Sequence, residues 1–239
     1  TACMRSIITC FIIGVILYVP TIIFGQKLAY GMSAGPMFST LFNPHNEFEL
    51  NYKSKNGYTI RLDLFWNISK NIGIRSGLAL ETKGAIYYNK YVNFGGTSHE
   101  FIPTGRNELS YYSPLPKYAG QIYQDNLDYI ELPLLLQFNF GNDLKIMPFV
   151  GPSFGWLAQY SNNYSPSLLA AMNGIQKDYL KRFNCSLVTG IGFGIPLKQN
   201  LHFVFEGMAS HGLTNIVRNK EVKVKNAALM ATGGVRFVI

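Results

Sequence analysis

The sequence predicts an all-β fold, an eight-stranded antiparallel up-and-down barrel that crosses a membrane with its strands. Three observations carry this expectation. Only 14% of the 239 residues are charged, against roughly 25% in ordinary soluble proteins, while aromatics reach 14% and glycines number 23. Apolar residues alternate with small or polar ones in segment after segment, the period of a strand with two different faces. The connections between those segments are alternately short and long, as in barrels with tight turns at one end and loops at the other. Disorder, coiled coil and collagen-like repeats do not fit this composition. Beyond residue 25 there is no apolar run long enough for a membrane helix, which needs about 18 residues.

Residues 1–25 read as a separate unit. Arg5 precedes an apolar run from Ile7 to Val19, followed by Pro20 and then Ile23-Phe24-Gly25-Gln26. A positive start, an apolar middle and a small residue before a polar one describe a signal peptide, with cleavage expected after Gly25 and a barrel domain over 26–239. An uncleaved anchor helix is the competing reading; Pro20 and the absence of a basic cluster beyond Lys27 weigh against it. Cys3 and Cys10 fall in this segment, leaving Cys185 alone and no disulfide framework.

The strands follow in order. A weakly patterned one runs from Leu28 to Phe38. In the second, Tyr58, Ile60, Leu62, Leu64 and Trp66 oppose Thr59, Arg61, Asp63, Phe65 and Asn67. In the third, Ile72, Ile74, Leu78 and Leu80 oppose Gly73, Arg75, Gly77, Ala79, Glu81 and Lys83. The fourth sets Ile130, Leu132, Leu134, Leu136 and Phe138 against Tyr129, Glu131, Pro133, Leu135, Gln137 and Asn139. The fifth sets Val150, Phe154, Trp156 and Tyr160 against Gly151, Ser153, Gly155 and Gln159. Phe183, Leu187, Ile191, Phe193 and Ile195 mark the sixth; Leu201, Phe203 and Phe205 the seventh; Leu229, Val235, Phe237 and Ile239 the eighth. Turns at 68–71, 141–145 and 196–200 alternate with long loops at 39–57, 86–126, 161–177 and 212–225, placing both ends of the barrel domain on the turn side.

A soluble, lipocalin-like barrel would turn its apolar face inward around a ligand. Its outer face would then be rich in Lys and Glu. Here the polar face is instead crowded with Gly, Ser, Thr and Asn, residues suited to the narrow interior of eight strands, so the bulky apolar rows are assigned to lipid. On the inward face Arg61, Arg75, Lys83 and Arg236 balance Asp63, Glu81, Glu131 and Glu206. Unpaired charges there would be costly, so these eight are expected to form ion pairs across a plugged lumen, serving stability or gating a narrow conduit.

No catalytic residues, cofactor site or nucleic-acid partner are read from the sequence. The four His lack metal-ligand spacing. Ser210 and His211 are adjacent on one strand and so face opposite sides, which denies them a nucleophile–base contact. Gly190-Ile191-Gly192-Phe193-Gly194 lies within a strand and opens no helix, unlike a phosphate loop. The loops hold the recognition candidates. Tyr87, Tyr88, Tyr91, Tyr111, Tyr112, Tyr118 and Tyr123 populate 86–126 and suit either partner recognition or packing of the loop on itself. Lys181, Arg182, Arg218, Lys220, Lys223 and Lys225 form a basic zone, fit for lipid phosphates (lipopolysaccharide among them) or simply for water.

Several stretches resemble a known family. Tyr129-Ile130-Glu131-Leu132-Pro133-Leu134-Leu135-Leu136, then Pro148-Phe149-Val150-Gly151-Pro152, are similar to the middle of the PorT-like outer-membrane β-barrels of Bacteroidota. His211-Gly212-Leu213-Thr214-Asn215-Ile216 resembles that family's segment after strand seven, with His in place of an aromatic, and Gly233-Gly234-Val235-Arg236-Phe237 its closing strand. The resemblance implies an outer-membrane location with periplasmic termini and no single activity. Some members are associated with type IX protein secretion, which makes an envelope or secretion protein a candidate partner; no residue here marks that role. The expected function is structural or interactive, through the long loops, with a narrow porin or a secretion accessory as the alternative.

Overall fold

The computed structural model describes residues 28–42, 52–88, 100–101, 111–112, 122–141, 144–163, 180–218 and 223–239. The expected signal peptide lies outside the described residues, as do Tyr91, Tyr118 and Lys220. Eight long strands make the wall: β1 (Leu28–Phe42), β2 (Lys55–Asn67), β3 (Ile72–Tyr88), β4 (Ile122–Phe138), β5 (Lys145–Asn162), β6 (Phe183–Lys198), β7 (Leu201–Gly212) and β8 (Lys225–Val238). Each pairs antiparallel with its sequence neighbours, and β8 returns to β1 from Ala29↔Val238 to Phe42↔Lys225. The ring is complete, so the wall has no unpaired edge to expose to lipid. A two-residue piece, Tyr52–Lys53, adds to β3, and Glu100–Phe101 pairs with Tyr111–Tyr112.

Both ends of the wall meet at the turn side, where the Ile239 N–H donates to the Leu28 carbonyl at 2.8 Å. The 68–71 turn stands where expected; the one expected at 196–200 shrinks to 199–200 because β6 continues to Lys198, and residues 142–143 of the one expected at 141–145 lie outside the described residues. The strands, however, run further toward the loop end than alternation marked: β3 reaches Tyr88 and β4 begins at Ile122. There the ladder is dressed by polar groups, with Gln124 donating to Asn126 at 2.9 Å and Asn126 to Ser161 at 3.3 Å. Beyond the lipid both faces can be polar, so a period-two hydropathy pattern ceases to report the strand.

The outward rows are the predicted ones. Met32, Leu62, Leu64, Leu78, Leu132, Leu134 and Leu229 stand exposed as an aliphatic belt. Aromatics flank it: Tyr30 stacks on Phe237 at 5.3 Å toward the turns, and Phe154 on Phe183 at 6.3 Å toward the loops. Such a continuous apolar surface is untenable in water and matches a hydrocarbon slab with aromatic girdles.

Two expectations are corrected. Phase is lost in β5, where Tyr129 pairs with Leu157 but Asp128 with Gln159. The extra residue, Ala158, reverses the faces. Gln159 therefore turns outward, and Tyr160, assigned to lipid, turns in to donate its hydroxyl to Asp125 at 2.8 Å. The interior is also less uniformly small than the Gly-rich face suggested. Met37, Leu135, Phe149, Val188, Met208 and Met230 form a buried cluster inside the barrel, because polar side chains alone could not fill it at native density. Glycine marks close approaches: a Cβ at Gly155 would collide with the Glu131 carboxylate, and one at Gly192 would press on Glu206 Cγ at 3.2 Å.

An arginine placed at Leu62 or Leu132, mid-belt and outward, is expected to cost about 2–4 kcal/mol in unfolding from lipid vesicles. Lys70→Ala, in a turn, should leave stability within about 0.5 kcal/mol.

Candidate functional site

The lumen is stacked in three storeys. Nearest the loops, Leu41, Ala85, Leu127, Tyr129, Ile216 and Val224 form an apolar stopper, with Leu157, Tyr160, Leu180 and Val217 packed against it. Ile216 comes from the β7–β8 connection and is 1% exposed. Its position is built by the segment His211–Ile216. Leu213 and Thr214 N–H groups donate to the Cys185 carbonyl, at 2.8 and 3.3 Å. The Thr214 hydroxyl accepts from the Cys185 N–H at 2.9 Å. Asn215 Oδ1 accepts from the Val217 and Val224 N–H groups, at 3.3 and 2.9 Å. Thr214 and Asn215 thus fold the connection inward in place of a hairpin turn.

Below the stopper lie the eight charges that alternation assigned to the lumen. They join into one chain whose signs alternate throughout. Glu131 meets Lys83 at 2.6 Å, and Lys83 meets Glu81 at 3.0 Å. Arg61 links Glu81 and Asp63, at 3.7 Å each. Asp63 meets Arg75 at 2.8 Å, and Arg75 grips both Glu206 oxygens at 2.7 Å. Arg236 ends the chain, 3.9 Å from Glu206. The path runs from β4 through β3 and β2 to β7 and β8, crossing the barrel. Ser153 donates to the second oxygen of Glu131 at 2.6 Å.

Inward aromatics cap the cations. Phe65 and Phe149 sandwich the Arg75 guanidinium, 5.0 and 5.1 Å away, and Tyr129 faces Lys83 at 5.5 Å. This accounts for the bulky rings on the small-residue face: each lends a polarisable face to a cation that has left water. Lys55, which sequence reading left in a loop, is also inside at 3% exposure and donates to the Lys83 carbonyl at 3.4 Å. Its spacing of two from Gly57, Thr59 and Arg61 was the available clue.

Nearest the turns the lumen opens into a vestibule of about 820 Å³, bounded by all three turns and roofed by Arg236 and Met147. At the opposite rim, outside the wall, Lys181, Arg182 and Arg218 surround a cleft of about 500 Å³ with Trp156, Phe183 and Thr214. Arg218 Nε is held by the Leu180 carbonyl at 3.2 Å. The structure does not bring Lys223 or Lys225 into that cleft; they stand at the start of β8. Among the tyrosines, the Tyr87 and Tyr123 backbones pair across β3 and β4 beside Tyr88, while Tyr111 and Tyr112 belong to the separate short ladder.

A closed eight-stranded wall, an apolar belt and a lumen crossed by ion pairs define a small outer-membrane β-barrel. The chain belongs to the family described as Outer membrane protein beta-barrel domain, which matches residues 24–218. No curated protein matches its sequence. Among solved structures it is similar to a major outer membrane protein of Thermus thermophilus, with 12% identity, TM-score 0.48, and coverage of 90% of this chain and 100% of that one. It is also similar to Ail, the attachment invasion locus protein of Yersinia pestis, with 13% identity, TM-score 0.41, and coverage of 87% and 98%. Neisserial surface protein A shares 13% identity at TM-score 0.40, covering 87% and 97%.

Lys83→Met strips Glu131 of its cation and should cost about 3–5 kcal/mol, measured by urea unfolding in vesicles. Adding Glu131→Gln should recover a large part of that loss, since the stranded charge is then gone.

Proposed function

We propose that this chain is a non-enzymatic outer-membrane protein whose closed barrel holds a recognition rim at the cell surface. The observation that carries this reading is the lumen itself: an alternating ion-pair chain beneath an apolar stopper blocks passage through the interior, which favours the loop rim as the working surface. Short turns and both wall ends share one side, which supports periplasmic termini and outward loops. Ser210 is buried, while His211 is exposed and packs tilted against the Phe42 ring at 5.0 Å, so these two neighbours lie on opposite faces of β7 and lack nucleophile–base geometry.

Two partner chemistries fit the rim. The cleft of Lys181, Arg182 and Arg218 sits directly above the lipid-facing Trp156 and Phe183, an arrangement suited to a phosphorylated lipid whose head is anionic and whose chains are apolar. The Tyr-rich segment between β3 and β4 suits a protein of the envelope, and the motifs shared with PorT-like barrels make a secretion component one such candidate. A second reading, a gated narrow conduit, draws on the two 3.7 Å links at Arg61, the loosest joints within the chain's interior.

Planar bilayers separate these readings: no steady large conductance is expected, whereas one present in the unmodified protein favours the conduit. Replacing Lys181, Arg182 and Arg218 by Gln should lower co-purifying phosphorylated lipid several-fold, counted per barrel by mass spectrometry. Crosslinking in native membranes should capture a partner that deletion of residues 89–121 abolishes.

A further inference from the structure

The turn-side vestibule has a lining that the surface-recognition reading does not use. Its described walls contain Lys70, Lys145, His202 and Arg236, together with the amides of Asn67, Asn71, Asn139, Gln199 and Asn200, and no acidic residue. Asp143, in the β4–β5 turn, lies outside the described residues. A pocket of about 820 Å³ is within the range of small-molecule sites, roughly 300–1,000 Å³.

Two buried groups in this lining lack adequate partners. Arg236 is 8% exposed, yet its nearest carboxylate, Glu206, lies 3.9 Å away with both oxygens already held by Arg75 at 2.7 Å. What Arg236 has instead is the Met147 thioether at 3.0 Å, the Gln137 carbonyl oxygen at 3.5 Å and the Phe65 ring at 3.5 Å; its Nε has no hydrogen-bond partner. His202, 8% exposed, likewise leaves Nδ1 without a partner. A buried guanidinium satisfied by sulfur and an amide is poorly compensated, and an oxyanion supplies the charge-assisted bonds it lacks.

We propose that the vestibule is a binding site for the phosphate group of a small solute, entering from the turn side and seated against Arg236 and His202, with Lys145 drawing it in. Lys70 at the rim and the five amides offer further hydrogen bonds to the body of such a solute. The site is independent of whatever the loops bind: it lies at the other end of a closed lumen and shares no residue with the rim cleft.

Inorganic phosphate titrated into the purified full-length barrel in detergent, at constant ionic strength set with sodium chloride, tests this by calorimetry. Saturable binding is expected. Arg236→Gln and Lys145→Gln should each weaken it, the former by about tenfold or more. Saturable binding should persist when Lys181, Arg182 and Arg218 at the opposite rim are all replaced by Gln, which removes any phosphate held in that cleft. Lys145 lies outside the ion-pair chain, so its variant keeps the experiment decisive should Arg236→Gln fail to fold. Phosphate should also protect Lys145 from amine acylation, located by peptide mapping. The proposal is overturned by absence of saturable binding, by equal competition from chloride, by undiminished affinity in Lys145→Gln, or by loss of binding when the three rim residues are replaced together.

Discussion

The structure depends on one constraint: a wall of eight strands encloses too little space for water to solvate what points inward. Inward charges are therefore drawn to counter-ions within the protein, and the alternating chain from Glu131 to Arg236 is the arrangement that results. The same constraint sets the position of glycine. Gly155 and Gly192 stand beside Glu131 and Glu206, where a methyl group would displace the carboxylates from their cations. Outside, the requirement is reversed, and the aliphatic belt meets lipid, interrupted by small groups such as Thr189 and Ser76, whose hydroxyl donates to the Pro133 carbonyl at 2.9 Å. Two solvents on the two faces of one sheet explain why period two is so clean wherever the wall is in the membrane.

Along the barrel axis the interior is not symmetric. At the loop end the connection through Thr214 and Asn215 folds back and drives Ile216 into an apolar stopper. At the turn end the connections are too short to reach inward, and the lumen stays open to Arg236. Closure on the loop side and access from the turn side follow from connection length together with the Thr214 and Asn215 bonds that turn the longer connection inward. A wide, straight-through pore is incompatible with the middle storey, whose links are as short as 2.6 Å.

Much of this was legible in the residues, for identifiable reasons. Strand number, closure and the lipid face follow from alternation, which is strong because a lipid-facing row must be predominantly apolar. The eight lumen charges were legible for the same reason: on an otherwise small, neutral face, a charge can only point in. Tyr160 was misplaced because a bulge at Ala158 leaves no mark in hydropathy. Phe65 was read onto the inward face and Phe149 and Met230 were not, and the use of all three (facing guanidinium groups and filling volume) depends on which strands lie across the barrel. The cleft of Lys181, Arg182 and Arg218 unites two loops through the Leu180–Val217 bridge, and nothing local announces that bridge. The motif His211–Ile216 was recognisable by resemblance; its role in turning Ile216 inward needed coordinates.

The distribution of charge among the strands explains why Arg236 is the loose end. Of the eight charges, β2 to β4 carry Arg61, Arg75 and Lys83 against Asp63, Glu81 and Glu131, a set already neutral before β5 begins. Glu206 on β7 and Arg236 on the adjacent β8 are likewise neutral between themselves. Closing the ring brings these halves together, and Arg75 then takes both Glu206 oxygens at 2.7 Å, against 3.9 Å left to Arg236. A two-pronged guanidinium–carboxylate contact is the stronger bond, so the competition within the closed lumen goes to Arg75. The cation displaced is the one facing the vestibule. The same pairing that seals the middle of the barrel thus releases a positive charge at its open end, and the affinity for an anion there is a by-product of sealing rather than a separately built feature.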